Sequence, residues 1–275
     1  MTKTVTWADG RVLPALGLGT WKMGEDPRRR QEELAALRAG LDAGLTLIDT
    51  AEMYGEGAAE SLIAEALAGR KREEVFLVSK VYPHNAGATR LPQALARSLK
   101  RLKTDVLDCY LLHWRDSVPL EETAEAMERM RAAGHIRGWG VSNLDVEDME
   151  ELADPRCATN QVLLHPGERG VEFDLLPWMQ ARGMPLMAYS PLGQGPVLRN
   201  PALGKIAARH GATAAQVALA WSISHPGVIA IPKSGRAARA AENAKALELE
   251  LTAQDLAEID AAFPPPRRKR PLAML

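Results

Sequence analysis

The sequence predicts an α/β chain folded as a (β/α)₈ TIM barrel, with a β-hairpin at the barrel's amino-terminal end. Three observations predict it. Short apolar runs alternate with amphipathic helical patterns almost from end to end, eight such runs fit within 275 residues, and no Gly/Ser-rich linker or composition break divides them. Strand and helix in strict alternation imply parallel strands joined by right-handed crossovers. Eight repeats in this length suit a closed barrel better than an open doubly wound sheet. The chain therefore reads as a single domain over residues 1–275.

The elements follow in order. Thr4–Trp7, then Ala8-Asp9-Gly10, then Val12 predict a small hairpin, because Asp-Gly supplies the positive φ of a tight turn; it would plug the barrel bottom. The apolar runs are Ala15–Leu18, Leu45–Ile48, Val75–Val78, Val106–Leu112, Ile136–Val141, Ala158–Leu163, Pro185–Ala188 and Val228–Ile231. Between them, Leu34, Leu37 and Leu41 share one helical face, and Leu91, Leu95, Leu99 and Leu102 share another. Pro264-Pro265-Pro266 stops the last helix, so residues 264–275 read as an extended tail. Its Arg267-Arg268-Lys269-Arg270 run reads either as a nucleic-acid patch or as a solvated tail, and the balanced charge of the chain favours the second.

Composition narrows the function. A formal net charge of −1 gives no overall field for nucleic acid or an anionic membrane, and 46% hydrophobic with 25% charged residues is ordinary for a globular chain. Cys109 and Cys157 lack metal-site spacing and lie in apolar strand-like runs, which reads as buried thiols rather than a disulfide. The polar start has no apolar signal core, and no apolar run approaches membrane-spanning length. The expectation is a cytoplasmic protein, with monomer as the default state.

Barrel active sites are built at the carboxyl ends of the strands, so the polar residue ending each run is a candidate. The second run ends at Asp49, the third at Lys80 and the fourth at His113. Adjacent strands lie roughly 4.8 Å apart, which brings these side chains to one rim, and Tyr54 in the loop Ala51–Gly55 leans over it. A phenol has a reference pKa of about 10, and the Lys80 ammonium is expected to lower it and make Tyr54 a better proton donor. Asp49 would hold that ammonium, and neutral His113 would orient a substrate carbonyl. Taken singly each has a plainer reading: a helix cap for Asp49-Thr50, surface residues for Lys80 and Tyr54, a core histidine for His113. Together they fit carbonyl polarisation and protonation.

None of the four supplies a hydride, so a cofactor must. The dinucleotide fingerprint is absent, since Gly17-Leu18-Gly19-Thr20-Trp21-Lys22 carries lysine where its third glycine belongs. The remaining strand ends offer Ser142, Asn143 and Gln161 to bond a nicotinamide carboxamide, and Tyr189 to stack on its ring. Ser142-Asn143 also reads as a helix cap and Tyr189 as a packed aromatic. Lys233, Ser234, Arg239 and a helix amino terminus form a phosphate site whose cations suit the 2′-phosphate of NADPH.

These residues resemble the motifs of the aldo-keto reductases. Asp49-Thr50-Ala51-Glu52-Met53-Tyr54-Gly55, Lys80 and Leu111-Leu112-His113-Trp114 match the catalytic motifs. Gly140–Asn143, Asn160-Gln161-Val162, Ala188–Leu192 and Ile231–Ser234 with Arg239, Glu242 and Asn243 match the cofactor motifs. The matches run in order from about Gly17 to Asn243. The resemblance implies a tetrad of Asp49, Tyr54, Lys80 and His113, and NADPH bound without a Rossmann domain. It implies that Gly19, Thr20 and Trp21 line the nicotinamide end, that Ser190, Leu192 and Gly193 belong to a loop over the pyrophosphate, and that Glu242 and Asn243 contact the adenine.

Leu144 stands where many relatives carry Phe, and Leu163-Leu164 replaces a more polar pair. The short loops are similar to the compact bacterial branch of methylglyoxal reductases, which implies reduction of small aldehydes, ketones or dicarbonyls. Trp21, Met53, Tyr82 and Trp114, with His113, are the candidate substrate wall, and core packing is the rival reading for Met53. Two other functions fit the same residues: an NADPH-binding regulatory protein with little turnover, and a barrel isomerase or aldolase using Lys80 as a Schiff base. The second needs a neutral lysine, which an adjacent Asp49 opposes.

Overall fold

Residues 3–275 are described in a computed structural model of the chain. A hairpin of β1 (Thr4–Thr6) and β2 (Val12–Pro14) pairs antiparallel, as the Asp-Gly turn predicts. The barrel strands are β3 (Leu18–Gly19), β4 (Leu47–Asp49), β5 (Phe76–Val81), β6 (Cys109–Leu112), β7 (Trp139–Ser142), β8 (Cys157–Leu163), β9 (Leu186–Tyr189) and β10 (Val228–Ala230). All eight are parallel, each beside its sequence neighbour. The ring closes between β10 and β3, where Leu16 bridges Ala230 and Gly19 bridges Lys233.

The seam explains why the first strand is shorter than the Ala15–Leu18 run. Ala15 spends its N–H on the hairpin, donating to the Lys3 carbonyl at 3.0 Å, while its own carbonyl accepts from Ala230 at 2.9 Å. Regular pairing starts only at Leu18. Gly19 is required there, because a Cβ would lie 2.6 Å from the Ile231 carbonyl oxygen. The other strands fall within a few residues of the predicted runs. Their side chains are buried on both faces, which is why most read as apolar runs rather than alternating ones, though β8 carries Thr159, Asn160 and Gln161 in its middle.

Helices α1 (Arg30–Asp42), α2 (Ala58–Ala66), α3 (Arg90–Leu102), α4 (Leu120–Ala132), α5 (Val146–Leu152) and α6 (Leu175–Gln180) fill the crossovers up to β9. α1 buries Leu34, Leu37 and Leu41, and α3 buries Leu91, Leu95 and Leu102 with Leu99 at the edge. Two helices, α7 (Pro201–His210) and α8 (Ala214–Ser222), replace one between β9 and β10. α7 ends at Gly211 with φ +59°, and α8 opens on a capping box of Thr213 and Gln216, so the sequence itself breaks the pair. α9 (Ala237–Ala244) and α10 (Ala253–Ala262) follow. Among the described residues, no helix is long and apolar enough to cross a membrane.

The hairpin does sit at the barrel bottom. Trp7 packs edge-on against Phe76 at 4.9 Å, where β5 begins. Arg11 lies over the same ring and pairs with Asp108, just ahead of β6. Asp108 is 1% exposed and also accepts from Arg72 at 2.6 Å and from the Leu77 N–H at 2.8 Å. At the other end the tail has neither helix nor strand, and Arg267, Arg268, Lys269 and Arg270 are exposed. Its last residues nonetheless fold back. Lys269 pairs with Glu147 at 2.7 Å, Leu272 packs on the core, and Leu275 reaches the barrel mouth.

Asp108 thus ties the hairpin, β5 and β6 together. Removing one member of a buried charge cluster strands the others, at a cost of about 3 kcal/mol. Asp108→Ala should lower the unfolding free energy by about that much in urea titration; a loss below about 1 kcal/mol would refute the anchoring role.

Candidate active site

Asp49 ends β4, Lys80 is the penultimate residue of β5, and His113 directly follows β6, its N–H donating to the Val81 carbonyl at 3.1 Å. Tyr54 opens a tight turn, Tyr54–Gly57, in which Gly55, Glu56 and Gly57 all have positive φ. That reversal turns the phenol back over the rim. The Lys80 Nζ donates to Asp49 Oδ2 at 2.8 Å, to the Thr50 carbonyl at 2.8 Å and to the Tyr54 oxygen at 3.1 Å. Its three N–H donors are all engaged. His113 meets Tyr54 edge-on, with ring centres 5.8 Å apart. Lys80 is 0% exposed, Asp49 2%, His113 8% and Tyr54 9%, so water screens these charges little.

Burial opposes the Lys80 ammonium most strongly, but the charges and hydrogen bonds of Asp49 and Tyr54 together outweigh it and hold its pKa above the ordinary lysine value. That favours the charged form, which argues against the Schiff-base reading. Burial and the Lys80 charge act together on His113, lowering its pKa to about 2 and keeping the ring neutral. Tyr54 departs from the sequence expectation. Burial raises its pKa, and the Lys80 charge pulls it back only in part, leaving the phenol above its ordinary value. Desolvation of the phenolate, which a sequence does not display, outweighs the neighbouring cation.

The next strand ends carry the amides. Ser142 Oγ donates to the Gln161 carbonyl at 2.8 Å. Asn143, at φ +61°, donates to the His113 carbonyl at 3.2 Å and accepts from the Tyr189 hydroxyl at 3.0 Å. Gln161 Nε2 donates to Asp49 Oδ1 at 2.7 Å. One cavity takes in Gly19, Thr20, Trp21, Asp49, Met53, Tyr54, His113, Trp114, Ser142, Asn143, Gln161, Tyr189, Ser190 and Lys233. Tyr82 is not among its walls. Its ring stands at the rim, stacked on His84 and edge-on to Trp114, with its hydroxyl turned outward to Glu56 at 3.3 Å.

Lys233 links this cavity to the other predicted end. Burial and the nearby Arg29 charge lower its pKa. Ser234 lies just ahead of α9, its hydroxyl accepting from the Arg236 N–H at 3.2 Å, and Arg239 is exposed in the first turn. Glu242 and Asn243 lie further along α9, and the Glu242 carbonyl accepts from Gln216 at 2.8 Å. Leu192 packs against the core, and Gly193, at φ +52°, turns the loop after β9.

Three residues near this groove, Leu275, Arg29 and Arg236, escaped the sequence reading. Leu275 and Ile231 line the cavity. Arg29 adds its charge at Lys233, and Arg236 flanks Ser234. Ile231 opens the Ile231–Ser234 motif read from the sequence. Arg29 precedes α1 and Leu275 ends the chain, so only the folded contacts bring them here.

With this geometry in hand, comparison with known proteins is specific. The model of the aldo/keto reductase family matches residues 15–263. The chain is 55% identical to methylglyoxal reductase YeaE of Escherichia coli K12, covering 99% of each chain. It is 37% identical to the glyoxal reductase of Bacillus subtilis, covering 94% of this chain and 92% of that one. An aldo/keto reductase from Klebsiella pneumoniae, crystallised with NADP and acetate, superposes over 100% of both chains with a TM-score of 0.97 at 50% identity.

The buried imidazole makes a measurable claim. Burial and the Lys80 charge hold the folded-chain pKa of His113 at about 2, whereas in the unfolded chain it takes a proton at the ordinary imidazole value of 6.5. The unfolded state therefore binds the extra proton below pH 6.5, and this residue's contribution to stability falls as pH drops through that range and is flat above it. The His113 ring resonances should stay unshifted between about pH 5 and 8; a titration midpoint near the ordinary value would refute the neutral assignment.

Proposed function

Since this chain belongs to the aldo/keto reductase family, we propose that it reduces small aldehydes, ketones and dicarbonyls such as methylglyoxal to alcohols with NADPH. The observation that carries the reading is the Lys80 ammonium hydrogen-bonded at once to Asp49 and to the Tyr54 hydroxyl at the barrel mouth. The curated relatives at 55% and 37% identity are reductases of methylglyoxal and glyoxal, which favours turnover over a purely regulatory role.

The donor set fits NADPH. Ser142, Asn143 and Gln161 offer a hydroxyl and two amides beside the Tyr189 ring, and Gly19, Thr20 and Trp21 line the same end. Lys233, Ser234, Arg239 and the first turn of α9 offer cations and N–H groups for the phosphates, and Arg29 and Arg236 add to them. In this reading Ser190, Leu192 and Gly193 border the pyrophosphate, and Glu242 and Asn243 the adenine. When bound, NADPH supplies the hydride that reaches the carbonyl carbon.

The chain's own residues do the rest. Neutral His113 donates a hydrogen bond to the carbonyl oxygen and fixes its direction. Tyr54 gives its phenolic proton to that oxygen as charge develops there. The phenolate left behind lies 3.1 Å from Lys80 Nζ, so the ammonium stabilises it at the moment it forms. Asp49 keeps that ammonium charged. Trp21, Met53 and Trp114 give the substrate an apolar wall, with Tyr82 at its rim. The reading takes the chain as a cytoplasmic monomer acting on a small carbonyl. Two buried free thiols suit a reducing compartment, and the exposed large apolar residues Val12, Phe173, Met274 and Leu275 are spread over the hairpin, a loop and the tail.

Tyr54→Phe tests the reading. Methylglyoxal-dependent NADPH oxidation should fall on the order of 10²–10⁴-fold, the usual worth of a positioned proton donor. NADPH affinity, followed by quenching of tryptophan fluorescence, should change less than about twofold, since the deleted hydroxyl faces the carbonyl rather than the phosphates. Unchanged turnover would refute Tyr54 as the donor.

A further inference from the structure

Each oxygen of the Asp49 carboxylate has one hydrogen-bonding side chain. Oδ2 accepts from Lys80 at 2.8 Å and Oδ1 accepts from Gln161 Nε2 at 2.7 Å. Gln161 is 1% exposed and Asp49 2%, so the contact is buried, and the amide N–H faces the carboxylate oxygen, which accepts it. Gln161 is not free to swing. Its backbone carbonyl accepts from both Ser142 Oγ at 2.8 Å and the Asn143 N–H at 2.9 Å, which pins this point of β8 against β7. With its N–H turned to Asp49, the amide also borders the cavity.

We propose that Gln161 is a positioning residue for the proton donor, the outer end of a buried relay Gln161–Asp49–Lys80–Tyr54 that sets the acidity of the Tyr54 phenol. The inference rests on the reductase reading for its consequence in turnover, but its geometry belongs to the chain alone. The amide directs the positive end of its dipole at Asp49 and holds the carboxylate in one rotamer. Without it, two changes act in the same direction. The Asp49 charge, which disfavours the phenolate, loses its partial neutralisation. Lys80 is also drawn towards an otherwise unpaired oxygen and away from Tyr54. Both raise the energy of the phenolate relative to the phenol. Gln161 therefore favours proton release from Tyr54 across a chain of three hydrogen bonds. Any group that takes up the Gln161 amide on the cavity side alters the same relay, so occupancy of that end of the groove is read at the phenol.

The test is a tyrosine titration in the absence of cofactor. The chain has four tyrosines, so ring-labelled tyrosine gives four resonances to assign with single Phe variants. In Gln161→Met, close to glutamine in shape but without a donor, the Tyr54 midpoint should move up by about half a pH unit or more, while Tyr82, outside the relay, stays in place. Gln161→Asn keeps an amide but shortens its reach, and should move Tyr54 in the same direction; it also serves if the methionine variant melts early. In turnover, the variants should lose kcat beyond any change in NADPH affinity measured by direct binding. A Tyr54 midpoint equal to that of the unaltered chain in both folded variants would overturn the relay. Absence of carbonyl turnover in the unaltered chain, with the midpoint still shifted in the variants, would overturn the reductase reading and leave the relay standing.

Discussion

A fully buried ammonium is the constraint on which the barrel mouth depends. An unpaired Lys80 at that depth would cost several kcal/mol and would be neutralised instead. The fold answers with three acceptors for its three protons: Asp49, the Thr50 carbonyl and Tyr54. Each answer creates a further demand. Asp49, buried to hold the lysine, has a second oxygen that needs a donor, and Gln161 supplies it from across the barrel. These groups come from β4, β5 and β8, so they meet only if the ring is closed. The seam at Gly19, where no Cβ fits, is therefore a requirement of the site as much as of the fold.

The two ends of the barrel handle buried charge differently. At the bottom, Asp108 is met by three arginines, Arg11, Arg72 and Arg137, and a backbone N–H, and nothing there is left to react. At the top, Lys80 is satisfied partly by a phenol that keeps a proton to give. Strand interiors between the ends are mostly apolar, with neutral Ser79, Thr159 and Asn160 as the exceptions, so the charged groups gather towards the rims. Stability and chemistry are thus divided along the strand axis, as expected for parallel barrels.

That division made much of the molecule legible in the sequence. A strand buried on both sides reads as a largely apolar run, and the polar residue that ends it marks the carboxyl end, which is how Asp49, Lys80 and His113 come to be read together. What remained hidden depended on quantities a sequence does not carry. The short first strand follows from Ala15 being shared between the hairpin and the seam. Arg29 caps the start of α1, far along the chain from Lys233, and its nearness is a product of closure. Tyr82 belongs to the right loop, but its hydroxyl turns outward to Glu56, a direction its spacing does not fix. For Tyr54 the neighbouring cation was legible and the depth of burial was not, so the sign of its shift came out reversed.

The same burial and the same ammonium act on the two groups that face the carbonyl, with different results. On His113 they add, because both disfavour a second positive charge, and the ring is left neutral with its pKa near 2. On Tyr54 they oppose, because burial disfavours the phenolate while Lys80 favours it. A neutral imidazole that gave up its N–H would become an imidazolate, a far stronger base than a phenolate, and its ring makes no hydrogen bond to Lys80 that would offset the new charge. A phenol that gives up its proton leaves an anion 3.1 Å from an ammonium already held in place. Of the two donors, only Tyr54 has a conjugate base that the site is built to receive. His113 is left to orient the carbonyl and Tyr54 to protonate it, a division of labour that follows from one buried charge.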